Sequence, residues 1–358
     1  MIKYLFNLYI SIVLVIGLLT DKSYALKQYE IDLINVYKKL SPSVVSILTI
    51  AYDENMFLEP VPRQGAGSGV VIDKIGHILT NYHVIQGAEE IKVLFGKNSY
   101  PAKIVGVAPN NDLAILKVSA PHNILIPAKL GNSSKLQVGQ TAIAIGNPFG
   151  ILGRSMTSGI VSAVNRDIQT ENGIYRGMIQ TDAPINSGNS GGPLVNTDGE
   201  VIGINTLIFS KSGGSVGVGF AIPINVAKKF IPSLITKGQA VYPWLGVNLL
   251  PINPGVAREL NLPVDYGLLV INVIKGSSAD LAGIKGGNKY IIIGNGFKLP
   301  INGDIIIGLD SEEISNPEEL SSYIETNKSV GDIVKVKIIR NNKVGYVNVK
   351  LQARPVSN

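Results

Sequence analysis

The chain has 358 residues, enough for two domains that each bury a core of their own. Hydrophobic residues make up 45% of it and charged residues 16%, which excludes a disordered chain. The net charge of +6 comes from lysines and arginines that are scattered without forming a basic block, which argues against a nucleic-acid partner. The chain contains no cysteine, so its stability cannot rest on disulfides.

The N-terminus has the features of an export signal. Lys3 precedes an apolar run, and Ser23 and Ala25 supply the small residues expected before a cleavage point. We therefore predict a signal peptide over residues 1–25. The alternative is an uncleaved anchor, although the apolar stretch 4–19 is only 16 residues long, which is short for a membrane span. Both interpretations place the remaining chain outside the cytoplasm, in the periplasm or cell envelope.

Short apolar runs separated by Gly, Pro and Asn dominate the next part of the chain. Residues 29–45 have apolar side chains at helical spacing and predict a short helix that stops at a Ser-Pro pair. Many short strands follow, from VVSILTI to GVGFAIP, and they indicate antiparallel barrels rather than a parallel sheet. Residues 224–238 predict a helix that ends at Gly238 and closes a first domain, 26–241.

After residue 241 the pattern changes to a compact mixture of strands and helices over 242–358. A short helix is predicted near Ser278–Ala282. A longer one begins after Asn316, a candidate N-cap, with Pro317 in its first turn. The chain is therefore predicted to be mainly β, with an αβ module after the barrels.

One serine stands in a sequence that cannot form regular structure. The stretch GNSGGP around Ser190 contains three glycines and a proline, which excludes a helix or a central strand. A tight turn with the serine at its apex is expected. A serine hydroxyl is a poor nucleophile unless a base takes its proton and a third group orients that base.

The chain has three histidines from which such a base could come. His77 and His122 are most simply interpreted as surface residues. His83 lies just past a predicted strand and is the candidate base. Asp112 comes directly before the apolar strand LAILKV, where an aspartate could also be an ordinary turn cap.

The order His83, Asp112, Ser190 and the glycine-rich turn resemble the chymotrypsin-like serine proteases. The resemblance spans about residues 30–355, and eight segments narrow it to the HtrA/Deg family: GSGVVID, TNYHVI, NDLAILKV, AIGNPFG, TSGIVSAVNR, QTDAPINSGNSGGPLVN, VIGIN and GFAIP. The resemblance implies a two-barrel chymotrypsin-like protease domain.

The resemblance also implies a role for each site residue. His83 would be the general base and then the acid, Asp112 would orient its ring, and the N–H groups of Gly188 and Ser190 would form the oxyanion hole. Members of the family are exported quality-control proteases that cleave unfolded chains. They need no ATP, no metal and no other cofactor.

The specificity pocket is expected to be apolar. Trypsin-like enzymes carry an acidic residue six positions before the serine, and Pro184 holds that position here. Together with Ile185 and Leu207 it predicts a pocket for small aliphatic side chains such as Val or Ala, in agreement with the family.

The module 242–358 resembles a PDZ domain. YPWLGV looks like the loop that binds a peptide carboxylate, which assigns that role to the N–H groups of Leu245, Gly246 and Val247. The segment 286–303 departs from the family pattern, because it inserts a hairpin-like stretch. The PDZ fold is expected, and whether this stretch covers the peptide groove is left open.

The partners implied are unfolded polypeptides, peptide C-termini and further copies of this chain. Family members form homotrimers, and the loop predicted at about residues 51–66 is short, which favours a trimer over larger cages. Two alternatives for the function stay open. One is a chaperone or scaffold with little cleavage, and the other is a regulatory protease that keeps its N-terminal membrane anchor.

Overall fold

A computed structural model describes residues 26–54, 59–147, 153–170, 173–186, 188–208, 217–293 and 296–355. The predicted signal peptide or anchor, residues 1–25, lies outside the described residues. Within these ranges no helix is both long and apolar enough to cross a membrane.

The first helix, α1, is Gln28–Leu40. It begins where the Glu30 side chain accepts a hydrogen bond from the N–H of Lys27, at 2.7 Å. Val36 and Leu40 are buried on its inner side. The helix stops at the Ser-Pro pair, where a 3-10 turn replaces it, because proline cannot continue a helical hydrogen-bond ladder. The predicted helix is confirmed, but the last residues of the predicted range belong to that turn and the first strand.

Six strands then close into an antiparallel barrel, in the order β1-β2-β3-β6-β5-β4. A helical turn, α2 (Tyr82–Ile85), follows its third strand. The strands are β1 Val44–Glu54, β2 Pro60–Val71, β3 His77–Thr80, β4 Glu90–Phe95, β5 Asn98–Ala108 and β6 Leu113–Val118. Most of the stretch 51–66 pairs as strand, since the register runs on to Glu54 opposite Pro60, so describing it as a loop was wrong.

A second closed barrel has the order β10-β11-β12-β9-β8-β7. Its strands are β7 Thr141–Gly146, β8 Ser155–Thr170, β9 Gly173–Thr181, β10 Pro193–Val195, β11 Val201–Ile208 and β12 Gly219–Pro223. Helix α3 (Ile224–Lys237) follows and ends at Gly238, whose φ of +74° suits glycine. The two barrels and this helix confirm the predicted architecture.

The largest hydrophobic core lies where the two barrels and α3 meet. Leu113 and Val70 from the first barrel, Ile143 and Ile145 from the second, and Phe230 from α3 all belong to it. Because the barrels share this core, the turns beside it are held in fixed positions relative to each other.

The C-terminal module is built on a six-stranded sheet with the path β14-β15-β18-β20-β21, in which β19 pairs with β18. Two small sheets accompany it, β13 with β22 and β16 with β17. In chain order the elements are β13 Pro243–Trp244, β14 Val247–Pro251, α4 Pro254–Glu259, β15 Leu268–Val273, α5 Ser278–Leu281, β16 Lys289–Ile293, β17 Phe297–Ile301, β18 Ile305–Leu309, β19 Glu312–Glu313, α6 Pro317–Asn327, β20 Ile333–Arg340, β21 Lys343–Lys350 and β22 Gln352–Ala353.

The inserted segment 286–303 forms the expected hairpin, since β16 and β17 pair in register. Helix α6 starts at Asn316, whose side chain accepts the N–H of Glu319 at 2.8 Å, as an N-cap does. Helix α4 was not predicted. Its sequence, PGVARE, is too short to show apolar periodicity, and the Asn253 cap identifies it only in the structure.

Candidate active site

Asp112 lies at the turn between β5 and β6. A 3-10 turn, Pro109–Asn111, precedes it, and its own φ of +51° is in the left-handed region. Aspartate tolerates that conformation better than most residues do. The N–H of Asp112 donates to the carbonyl of Pro109 at 3.0 Å, and the residue is buried. The turn therefore directs the carboxylate into the molecule instead of leaving it as a surface cap.

The buried carboxylate holds His83 at two points. His83 Nδ1 lies 2.8 Å from Asp112 Oδ2, and the main-chain N–H of His83 donates to Oδ1 at 2.9 Å. An ionised carboxylate only accepts hydrogen bonds, so the proton is assigned to Nδ1 and Nε2 keeps a free lone pair. The His83 side chain is 40% exposed and that of Asp112 is 2% exposed. The potential base thus faces solvent while the group that orients it is shielded.

Ser190 lies on a compact turn in front of β10. The N–H of Asn189 donates to the carbonyl of Asn186, and that of Gly192 donates to the carbonyl of Asn189, both at 2.9 Å. Gly191 has a φ of +81°, and a Cβ there would collide with the carbonyl oxygen of Ser68. Gly191 is therefore required by both its backbone conformation and the close approach of Ser68.

Thr206 connects the serine with the aspartate. Its hydroxyl donates to Asp112 Oδ2, and its carbonyl accepts the Ser190 hydroxyl at 3.3 Å. The structure thus brings Ser190, His83 and Asp112 together, with the Ser190 hydroxyl bonded to Thr206 and not to the His83 ring.

Ser68, from the first barrel, fixes the serine turn of the second. Its N–H donates to the carbonyl of Ser190 at 2.8 Å, and its hydroxyl donates to the carbonyl of Gly188. The N–H groups of Gly188 and Ser190 form no hydrogen bond with another described residue. Within the described residues, these two N–H groups are therefore not used by the fold.

Comparison with known proteins agrees with this geometry. Residues 67–204 match the family model of the trypsin-like peptidase domain, and residues 243–351 match that of the PDZ domain. The chloroplastic protease Do-like 1 of Arabidopsis thaliana is 37% identical over 331 residues, which are 91% of this chain and 73% of that protein. A probable periplasmic serine endoprotease of Brucella suis, DegP-like, is 39% identical over 290 residues, 81% of this chain and 53% of that protein. The solved HtrA-type protease AlgW with a decapeptide has a TM-score of 0.67 and 32% identity, covering 90% of this chain and 99% of that chain.

This chain belongs to the HtrA-type proteases. It is a serine endoprotease in which a trypsin-like domain is followed by one PDZ domain, as the motifs predicted. It spans 53% of the length of the DegP-like relative of Brucella suis and 70% of that of Hahella chejuensis.

The residues of the predicted specificity pocket occupy different environments in the protease domain. Pro184 is exposed, whereas Ile185 is buried in the core of the second barrel. A Cβ added to Gly219 of β12 would lie 2.7 Å from Ile185 Cγ1, so this glycine makes room for the isoleucine. The side chain of Leu207 lies outside the described residues. An uncharged, apolar pocket stays a prediction.

The PDZ domain has a groove of about 370 Å³ between β14 and α6. Leu245, Gly246 and Val247 all line it, together with Leu320 and Ile324 of α6. None of its lining residues belongs to the inserted segment 286–303, and the inserted hairpin packs beside β15 instead.

At the end of this groove, the N–H groups of Leu245 and Gly246 donate to no other residue that the structure describes. The carbonyl of Leu245 accepts the N–H of Ala279, and the carbonyl of Gly246 accepts the N–H of Ile274, both at 2.9 Å. Antiparallel pairing alternates in direction, so the N–H of Val247 points away from β15, toward the groove. Strand β14 is an edge strand, which can accept a further strand.

The other two histidines lie apart from this site. His122 is exposed, as predicted. The prediction of a surface residue was wrong for His77, which is buried with its Nδ1 2.5 Å from Asp73 Oδ2. Burial acts to raise the pKa of Asp73, but hydrogen bonds from the main chain and ring of His77 outweigh it and lower that pKa. This pair closes the turn between β2 and β3.

Three polar residues of the site were not predicted from the sequence. Thr206 and Ser68 have the roles described above, and Asn81 donates from Nδ2 to the main-chain carbonyl of Asp112 at 3.0 Å. All three are buried. The sequence does carry one indication of such residues, namely a polar residue within an apolar strand or directly beside a catalytic motif. A buried polar side chain at such a position needs a hydrogen-bond partner.

Proposed function

We propose that this protease is an exported, ATP-independent endopeptidase that degrades unfolded or damaged proteins. The observation that carries the proposal is the pairing of His83 with the buried Asp112 beside the glycine-rich turn of Ser190. Ser190 is the nucleophile, His83 the general base and Asp112 the group that orients it. The periplasmic names of the bacterial relatives support the location.

The proposed reaction begins with a rotation of the Ser190 side chain, because its hydroxyl donates to Thr206 in this structure. Once the hydroxyl faces Nε2 of His83, the ring takes its proton while Oγ bonds to the substrate carbonyl carbon. Asp112 stabilises the imidazolium that forms, and the ring then protonates the leaving amine. Water repeats these steps to release the acyl group.

The oxyanion of each intermediate would be held by the N–H groups of Gly188 and Ser190. Each such donor contributes roughly 3–4 kcal/mol to lowering the barrier in an enzyme of this kind. Their availability in this structure supports the assignment.

Cleavage is expected mainly after Val, Ala, Ile and similar residues. Pro184 stands at the position where an acidic residue would attract Lys or Arg, and the next residue, Ile185, is apolar and packs in the core of the second barrel. Digestion of an unfolded model protein such as casein, with cut sites mapped by mass spectrometry, measures this. Cuts absent from a parallel Ser190→Ala digest belong to the enzyme. A profile dominated by Lys and Arg would contradict the pocket assignment.

The PDZ groove is proposed to bind peptide C-termini and so regulate the protease. A carboxylate would meet the N–H groups of Leu245, Gly246 and Val247, and the peptide would extend β14 as an added strand. We expect a peptide with an apolar last residue and a free carboxylate to raise the proteolytic rate. Amidating its C-terminus should weaken binding by about tenfold or more, because charge-assisted hydrogen bonds are lost.

Calorimetric titration of the Ser190→Ala variant with both peptides measures this difference without cleavage. The Gly246→Ala variant should bind the free acid poorly, because a Cβ there would collide with Ser277 and the φ is +81°. Gly345→Ala is the matched control, since a Cβ there meets nothing within 4 Å. Equal affinities for the free-acid and the amidated peptide would show that Leu245, Gly246 and Val247 do not form a carboxylate site.

Export and assembly complete the proposal. The mature chain would begin at Leu26 unless residues 1–25 stay as an anchor, and homotrimers would form as in the family. N-terminal sequencing from the native envelope tests the first point, since peptides containing Lys3 would establish the anchor. Light scattering tests the second, and a stable monomer would contradict it.

A further inference from the structure

Tyr242 lies in the short connection between the protease domain and the PDZ domain, after α3 and directly before β13. Its ring packs on Phe230 of α3, with ring centroids 5.1 Å apart. Its hydroxyl donates to Asn111 Oδ1 at 2.7 Å, across 131 residues of sequence. A residue outside both barrels thus forms a direct side-chain hydrogen bond to the first barrel.

The accepting residue is next to the catalytic carboxylate in the chain. Asn111 is the last residue of the 3-10 turn, and Asp112 follows it in the left-handed conformation. Pro109 and Asn110 are exposed, so the turn projects from the barrel. The left-handed conformation of Asp112, with φ near +51°, is kept only where surrounding contacts stabilise it. The hydrogen bond from the Tyr242 hydroxyl to Asn111 is one such contact, and it comes from outside the barrel.

On its other side Tyr242 is tied to the peptide groove. Its carbonyl accepts the N–H of Arg354 at 2.8 Å, and Trp244, two residues on, pairs with Gln352. Arg354 and Trp244 both line the groove. A peptide that enters the groove therefore contacts the segment to which Tyr242 is hydrogen-bonded.

A second contact holds the same region in place. Lys229 of α3 donates from Nζ to the carbonyl of Glu325, near the end of α6. Glu325 also lines the groove. The wall of the groove and the connection at Tyr242 are thus both anchored to α3, which packs on the protease core.

We propose that Tyr242 is a positioning residue for Asp112, acting through Asn111. Through this contact, the orientation of the Asp112 carboxylate changes when a peptide binds in the PDZ groove. This rests on the proposed function, in which Asp112 orients His83. Movement of β13 and β22 on peptide binding would shift Tyr242, its hydrogen bond to Asn111 and the turn that carries Asp112.

The hydroxyl can act as a donor over the whole working range of pH. Burial, with a smaller contribution from the charge of Glu325, raises the pKa of Tyr242 to about 12, against an opposing effect of Arg354. Below that pH the phenol keeps its proton and donates to Asn111.

The variant Tyr242→Phe removes only this hydroxyl. We expect kcat to fall about three- to tenfold, the effect of losing one hydrogen bond, while KM stays within about twofold. The stimulation by a ten-residue peptide ending in a free-acid valine should fall toward none. Tyr346→Phe, an exposed tyrosine on β21, is the matched control and should behave as the parent protein.

The variant Asn111→Ala removes the acceptor and should give the same losses, and the double variant should be no worse than either single one. Additive effects, or a Tyr242→Phe enzyme that keeps both its kcat and its peptide response, would overturn the proposal. Thermal unfolding shows whether a loss of activity is merely a loss of stability.

A readout without turnover separates this proposal from the proposed function. The chain has three histidines, so the imidazole resonances of the Ser190→Ala protein can be assigned by NMR. Tyr242→Phe should move the Nδ1–H signal of His83 and leave those of His77 and His122 in place. An unmoved His83 signal would overturn the role of Tyr242 even if cleavage were confirmed. A protein that never cleaves would instead contradict the proposed function, and the His83 signal would still decide the role of Tyr242.

Discussion

The Ser190→Ala variant should lose proteolytic activity by roughly 10⁴- to 10⁶-fold. Without the hydroxyl no acyl-enzyme can form, and only the binding and polarising groups of the site remain. The variant should fold normally, because the hydroxyl makes one long hydrogen bond, 3.3 Å to the carbonyl of Thr206. Release of soluble fragments from an unfolded protein measures the activity, and circular dichroism on heating measures the stability.

The matched control is Ser99→Ala, at an exposed position on β5, which should keep full activity. Comparing the parent protein with the Ser190→Ala variant also decides whether the chain acts as a protease or as a chaperone. A chaperone would suppress aggregation of an unfolded client equally well with either residue at 190, and the client would stay intact in both cases. Undiminished cleavage by Ser190→Ala would show that another group is the nucleophile.

Local signals in the sequence predicted the elements that local chemistry determines. Gly238 marks the end of α3, and Asn316 marks the start of α6, because a left-handed cap and an N-cap depend on one residue and its neighbours. The inserted hairpin was likewise visible, as two apolar runs separated by Gly-Asn-Gly.

Contacts between distant parts of the chain could not be predicted in this way. Thr206 meets Asp112 across 94 residues, and Ser68 meets Gly188 across 120. Neither contact produces a periodic pattern in the sequence, because both contacts depend on how the two closed barrels pack together. The burial of His77 has a different origin, since its ring makes a local contact with Asp73, four residues earlier in the chain.

The His83→Ala variant should be about as inactive as the serine variant, since members of a triad act as a unit. Removing the ring leaves Ser190 without a base and Asp112 Oδ2 with the Thr206 hydroxyl as its remaining side-chain donor. The loss of one donor to a buried carboxylate should lower the stability by about 1–3 kcal/mol. Activity must therefore be assayed well below the melting temperature, which calorimetry supplies.

The other histidines provide controls that differ in burial. His122→Ala removes an exposed ring and should change neither activity nor stability. His77→Ala breaks a buried pair with Asp73, so it should lower the melting temperature while the protein that stays folded keeps its turnover. The double variant of His83 and Ser190 should be no less active than either single one, because the base has no function without its nucleophile. An active His83→Ala enzyme beside an inactive, folded His77→Ala enzyme would move the base to His77, against the 2.8 Å contact that joins His83 to Asp112.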